Sequence, residues 1–378
     1  MTADATPGLQ SPPPYAARRK AVADGLPLHG LHVLLVALSP NLRYLSGFTG
    51  SNGFLLISAE RTILFTDPRY LIQARQETAG PATPSAPECE VRIAKGPLIP
   101  DVASAITRHR WRRIGYEPAR LTCDALAALR HKLPARASLS PVHDWVESLR
   151  MIKSPAEIDC IRRSVQTNSR AFEQAAARLR PGMKESSLAA EIEYRMRLLG
   201  AERPAFETIV ASGLRTALPH AQPTACAIPA GSLVLVDMGA QQDGYSSDMT
   251  RMLFLGKPGA RVRRAYRAVL EAQLAAIDAV RPGVPSARVD AAARRVLRGY
   301  GLEKAFVHST GHGLGLEIHE LPRIGRRDKS RLAPGMAITI EPGVYLEDFG
   351  GIRIEDTAVV TERGCEILTP TPKELRVL

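Results

Sequence analysis

Four acids stand at matching places in two stretches of this 378-residue chain. "LVLVDMG" ends an apolar run on Asp237, and "MAITIEPG" ends another on Glu341; each acid lies six residues after a glycine, Gly231 or Gly335. Each stretch then supplies a second acid: Asp248 in "DGYSSDMTR", eleven residues on, and Glu355 in "GGIRIEDT", fourteen on. Four unpaired carboxylates in one pocket would repel one another and take up protons. Two divalent cations would remove the difficulty, and the charge sum leaves room for a bound hydroxide. An acid at a strand end is ordinarily a solvated turn residue. Asp237 alone would be read that way; its counterpart Glu341 and its partner Asp248 outweigh that reading.

A nitrogen ligand would come from "HSTGHGLGLEIHELP", which places His308, His312 and His319 within twelve residues. Two histidines four apart suggest a zinc helix. Gly311, Gly313 and Gly315 argue against it, since each weakens a helix interior by roughly 1 kcal/mol relative to alanine. Leu314, Leu316 and Ile318 alternate with Gly315, Glu317 and His319, which is strand periodicity. The segment is therefore expected to be extended. His308 and His312 then share a face, and His319 faces away unless the glycines bend the chain. His312 is taken as the single imidazole ligand. An oxygen-rich set with one nitrogen suits Mn²⁺ and related first-row metals better than a thiolate-type zinc site.

Such a set needs a scaffold that repeats, and the second part of the chain does. "LRPGM" at 179–183 matches "VRPGV" at 280–284. Gly200 lies eighteen residues after Gly182, and Gly301 eighteen after Gly283. "GAERPAF" echoes "GLEKAF", and "PAGSLVLVDMG" echoes "APGMAITIEPG". Each copy reads helix, helix, strand, strand. The expected fold class is α/β (α+β): two pseudo-symmetric ααββ halves around a curved antiparallel sheet, preceded by a smaller α/β domain. "SPAE" at 154–157 is a capping box with proline at the first helical position, opening a helix expected over 155–179. Before it, "HVLLVAL" at 32–38 reads as a buried strand and "GFLLISAERTILFTD" at 53–67 as a hairpin. "PRYLIQARQETA" at 68–79 reads as a helix opening on proline, followed by a Pro-rich linker, "GPATPSAPE". The expected divisions are a loose tail over 1–20, an N-terminal domain over 21–150 and a catalytic domain over 151–378.

Composition narrows the class. The chain is 45% apolar and 23% charged, a globular balance. No run of eighteen apolar residues exists, so no transmembrane helix or membrane partner is expected, and the N-terminus does not resemble a signal peptide. Five scattered cysteines without a CxxC fit reduced thiols and a cytoplasmic location. The formal net charge is +12, densest in "RHRWRR" at 108–113 and "RVRRAYR" at 261–267. The basic residues spread over the whole chain and aromatics are only 5%, so these stretches read as solvated helix faces and no nucleic-acid partner is expected.

The motifs "LPHA" (218–221), "VDMG" with "SDMTR", "HSTGHGLGLEIHE", "TIEPGVY" and "GIRIED" together resemble the pita-bread metallopeptidases, in their proline-specific branch of prolidase and aminopeptidase P. The resemblance covers the whole second domain and extends into the first through "NLRYLSGFTGSNG" and "TDPRY". It implies a pita-bread catalytic domain behind a creatinase/prolidase-like domain. The implied roles are these: Asp237 holds the first of two divalent ions, Asp248 and Glu355 bridge both, and His312 and Glu341 complete the second. Mn²⁺ is favoured, with Co²⁺ or Zn²⁺ as alternatives. Glu341 doubles as proton shuttle, His220 and His319 stabilise the scissile carbonyl, His308 lies on the proline side, and Arg353 lies beside the bridging glutamate. The repeat supports pairing His220 with His319, because each shortly precedes an equivalent "PAG" or "APG" strand start. Phe206, Tyr44 and Tyr245 are candidate pocket walls. The implied substrates are X-Pro peptides and the implied assembly a homodimer. An Xaa-Pro dipeptidase is preferred. The alternatives are an aminopeptidase P acting on longer peptides, a non-catalytic pita-bread binding module and a metal-free creatine-type amidinohydrolase.

Overall fold

The computed structural model describes residues 15–37, 39–78 and 88–378. The expected Pro-rich linker lies almost wholly outside them, as do residues 1–14 of the expected loose tail. Residues 15–20, expected to be loose, belong to the helix Tyr15–Gly25. Its Arg18 and Arg19 are buried and donate to the carbonyls of Tyr44 (3.0 Å) and Leu45 (3.1 Å), which holds a polar segment in place. Contacts divide the chain into two compact units, Met1–Arg150 and Met151–Leu378.

The first unit is built on a six-stranded mixed sheet, ordered Cys89–Ile93, Thr62–Thr66, Gly53–Ser58, Val33–Ala37, Arg113–Tyr116 and Ser138–Pro141. The expected strand and hairpin are its centre, paired antiparallel with Val33 opposite Ser58 and Gly53 opposite Thr66. The helix expected to open on Pro68 starts as a 3-10 turn over Pro68–Tyr70 and becomes α-helical over Leu71–Thr78. The Asp67 carboxylate caps it by accepting from Arg69 N at 3.0 Å.

The second unit repeats as the sequence implies. The helices Pro155–Ala176 and Glu185–Leu198 precede three antiparallel strands, ordered Met249–Phe254, Leu233–Met238 and Ile209–Ser212. The helices Ala260–Ala279 and Ser286–Gly299 precede the equivalent order Asp356–Val360, Ala337–Ile340 and Gly311–Gly313. The first helix opens on the Ser154–Glu157 capping box, a feature worth about 1 kcal/mol. It stops at Ala176, three residues short of the expected end, where "RLRPG" turns the chain. Val234, Val236 and Met238 face the core under the first helix pair, and Ile338 and Ile340 face the core under the second. Each buried branched side chain contributes on the order of 1.5–3 kcal/mol. On the opposite face of the first of these strands Leu233 and Leu235 join the second core, and only its end, at Asp237, is left for the site.

The histidine segment departs from the sequence reading at one place. Only Gly311–Gly313 and Glu320–Ile324 are strands, paired antiparallel with a shift in register after His312. The alternating stretch 314–319 is a bend and not a strand. Its apolar residues point inward because the loop folds over the core, with Leu314 fully buried and Leu316 nearly so. Glycine is needed here for space. A Cβ at Gly311 would collide with the Thr339 carbonyl, and one at Gly313 with the Leu321 carbonyl.

Candidate metal centre

The equivalent strands Leu233–Met238 and Ala337–Ile340 each bring an acid to their end: one carries Asp237 as its last residue but one, and the other leads into Glu341. Asp248 enters the strand Met249–Phe254, and Glu355 enters Asp356–Val360. Asp248, His312 and Glu355 each offer a ligand atom within 4.8 Å of the others. His312 Nε2 lies 3.5 Å from Glu341 Oε1 and 3.6 Å from Asp248 Oδ2. Arg353 Nη2 donates to Asp237 Oδ2 at 2.6 Å, and its Nε to Thr250 Oγ1 at 3.0 Å. That threonine donates in turn to Glu355 Oε2 at 2.7 Å. The five expected ligands and Arg353 thus form one connected cluster.

Burial sets its electrostatics. Burial, then the charges of Asp237 and Glu341, pushes the Asp248 carboxyl well above its ordinary range. Burial, then Asp248 and Glu341, does the same for Glu355. Burial raises Glu341 to about 7, with Arg353 opposing and Asp237 adding. His312 is pushed down to about 4, chiefly by burial and then by His319, so its ring is neutral. Its Nδ1 lies 3.0 Å from the Gly313 carbonyl. A carbonyl only accepts, so Nδ1 carries the proton and Nε2 keeps its lone pair.

A match to the model of Metallopeptidase family M24 spans residues 159–362, more than half of the chain. The chain belongs to metallopeptidase family M24. The Creatinase/Prolidase N-terminal domain matches residues 18–152. A protein named Xaa-Pro dipeptidase from Pyrococcus horikoshii is 35% identical over 94% of this chain and 97% of its own length. The structure of an Xaa-Pro dipeptidase from Bacillus anthracis superposes with a TM-score of 0.92 at 36% identity, covering 96% of this chain and all of that one. An X-Pro aminopeptidase from Thermotoga maritima gives 0.85 at 37% identity, over 92% and 98%.

Membership of M24 makes this a metal-dependent peptidase, and the donor set fits divalent ions. Asp237 Oδ1 and Asp248 Oδ1 are buried without a hydrogen-bond partner. Orphaned anionic oxygens beside a neutral imidazole lone pair are costly unless a cation neutralises them. Asp237 Oδ2 and Glu355 Oε2 accept from Arg353 and Thr250, as ligand oxygens commonly do from the partners behind them.

The structure sorts the remaining expected M24 site residues. His319 is drawn back by the bend, its ring centroid 4.4 Å from that of His312. His319 and His220 are both exposed. His308 is held on both nitrogens, Nδ1 at 2.8 Å from the Ser309 carbonyl and Nε2 at 2.9 Å from Tyr345 Oη. Tyr345 Oη also accepts from Arg353 Nη1 at 2.6 Å, so the tyrosine proton points to His308. Two candidate wall residues are structural instead. Tyr44 is buried under the Arg18 guanidinium, and Tyr245 is buried with its hydroxyl on Glu157 at 2.9 Å. Phe206 packs against the place where Gly239 lacks a side chain. Residues the sequence reading missed are Thr250, Thr339, Tyr345 and Glu320. Thr250 and Thr339 lie two positions from Asp248 and Glu341, and strand periodicity puts such pairs on one face; Thr339 Oγ1 is 3.3 Å from Glu341 Oε1. Glu320 was not legible: its partners are Lys153 Nζ (3.0 Å), far away in sequence, and Glu317 N (3.1 Å) within the bend.

The raised carboxyls predict a pH signature. Glu341 ionises near 4.5 when unfolded and about 7 when folded. Within that window the folded, metal-stripped protein holds a proton that the unfolded chain has lost. The contribution of Glu341 to stability therefore falls as pH rises through the window and levels off above it. Cation binding needs the ionised form, so stabilisation by added Mn²⁺ grows over the same range. Melting temperatures of stripped and Mn²⁺-supplemented protein from pH 5 to 8 should diverge as pH rises. A pH-independent gap would remove these carboxylates from the metal site.

Proposed function

We propose that this chain hydrolyses the bond before proline in short peptides, acting as an Xaa-Pro dipeptidase. Likeness to Xaa-Pro dipeptidases over nearly the whole chain carries this reading, and the grouping of Asp248, His312 and Glu355 supports it. Within it, residues 151–378 are the catalytic domain and 21–150 the creatinase/prolidase-like domain, and the protein acts as a cytoplasmic homodimer.

Asp237, Asp248, His312, Glu341 and Glu355 would hold two divalent ions, Mn²⁺ in preference to Co²⁺ or Zn²⁺. Such ions, when bound, supply an activated water and polarise a carbonyl. Glu341 takes up and returns the proton at its carboxylate, a general-base role open to a carboxylate beside the reacting carbonyl. His220 and His319, both exposed, donate to the oxygen of the scissile carbonyl. Arg353 orients Asp237, and its Nη1 donates to the Pro219 carbonyl at 3.2 Å, fixing the residue before His220. Proline makes the scissile bond a tertiary amide with fixed φ and no N–H. A site that acts on the carbonyl alone does not need that donor.

The likeness to an X-Pro aminopeptidase favours one second reading, cleavage of longer peptides. Stripped protein restored with Mn²⁺ is offered Ala-Pro and Ala-Pro-Ala-Ala. Cleavage of the dipeptide alone is expected. Preference for the tetrapeptide would make the chain an aminopeptidase. Cleavage of neither, with Mn²⁺ bound, would overturn the proline specificity.

A further inference from the structure

Arg251 is the largest fully buried side chain of the described residues, and every donor it has is used. Nε donates to the Pro372 carbonyl at 2.9 Å. Nη1 donates to the carbonyls of Thr250 at 3.0 Å and Glu355 at 2.5 Å. Nη2 donates to Asp356 Oδ1 at 2.8 Å and to the Thr371 carbonyl at 2.6 Å. Asp356 is itself fully buried, with Oδ2 accepting from Gln273 Nε2 at 2.7 Å and paired with Lys373 Nζ.

Side chains alternate along a strand, so Arg251 lies on the face opposite Thr250. Thr250 turns toward Glu355 and Arg353 in the metal cluster; Arg251 stands behind it and reaches no substrate. The strands that carry Asp248 and Glu355 belong to different halves of the repeat. Their direct backbone link at this level is one long bond, Glu355 N to Thr250 O at 3.3 Å. Arg251 Nη1 closes that join by donating to the carbonyls on both sides of it. The C-terminal segment adds the back of the clamp through Pro372, Thr371 and Lys373, and through Thr369 Oγ1, which accepts from Thr357 N at 3.0 Å.

We propose that Arg251 is a positioning residue for the metal centre: with Asp356 and the C-terminal segment 369–373, it sets the spacing between the acids Asp248 and Glu355. The proposal rests on the metal-binding reading given above. A lysine at 251 would keep the charge opposite Asp356 but has three donors on one atom, which cannot span both strands and the tail.

The test measures Mn²⁺ affinity by calorimetry, and the visible spectrum of bound Co²⁺, on folded, stripped protein. Arg251→Lys should bind Mn²⁺ about 10–100-fold more weakly, the scale at which partners behind metal ligands act, and should shift the Co²⁺ bands. Lys373→Met, which loosens only the tail, should weaken binding less. Val269→Ala, a core truncation in the helix Ala260–Ala279, should lower the melting temperature without changing affinity or spectrum. If Arg251→Lys does not fold, Asp356→Asn replaces it with the same expected weakening. Wild-type affinity and spectrum in a destabilised Arg251 or Asp356 variant would overturn the proposal. Absence of Mn²⁺ binding by the wild-type protein would instead overturn the metal-binding reading.

Discussion

Asp248→Asn should abolish peptide hydrolysis while leaving the stripped protein as stable as wild type, or more so. The two effects have one cause. Asp248 is buried, its Oδ1 has no partner, and its charge is opposed by Asp237 and Glu341. Without a cation that charge is a liability, so the neutral isostere relieves strain. In the proposed metal centre it is one of the donors that would hold the cation, and losing it would remove both a ligand and a unit of negative charge. The fall in kcat/KM should exceed the roughly 10–100-fold that partners behind a ligand cost. Added Mn²⁺ should raise the melting temperature of wild type more than that of the variant. Retained full activity in a folded Asp248→Asn protein would sink the carboxylate-held metal centre.

The legible and illegible parts of this site divide by physical type. Asp237, Asp248, Glu341 and Glu355 could be paired from sequence because an internal repeat fixes their place on equivalent strands. The capping box at Ser154 was legible because its partners lie three residues apart. His319 could not be placed by periodicity, because period 2 holds only while the chain stays extended, and 314–319 bends. What bends it is partly distant: Glu320, held by Lys153, accepts from Glu317 N inside the loop. Tyr345 had no signal of its own, since its role depends on a strand pairing that sets it beside Arg353. Tyr44 and Tyr245 show the converse. An aromatic near a motif was a reasonable wall, but each hydroxyl already had a structural acceptor.

Arg353→Met tests how the cluster balances its charge, and its effect should depend on whether metal is present. The guanidinium is 3% exposed and donates to Asp237 Oδ2, Thr250 Oγ1, Tyr345 Oη and the Pro219 carbonyl. In stripped protein it is the cation paired with Asp237. Removing one partner of a buried pair costs about 3–5 kcal/mol. If the proposed ions are bound at Asp237, they would supply positive charge in place of the guanidinium, so the loss of stability in metal-loaded protein should be smaller. Activity should fall about 10–100-fold even when loaded, because Tyr345 and the segment before His220 lose their shared anchor. Arg353→Lys should recover part of the stability through its charge but little of the activity, since an ammonium cannot reproduce the planar fork. The comparison is made by melting both variants with chelator and with Mn²⁺. Equal destabilisation under the two conditions would mean that Asp237 does not share its charge with a cation, and would remove it from the ligand set.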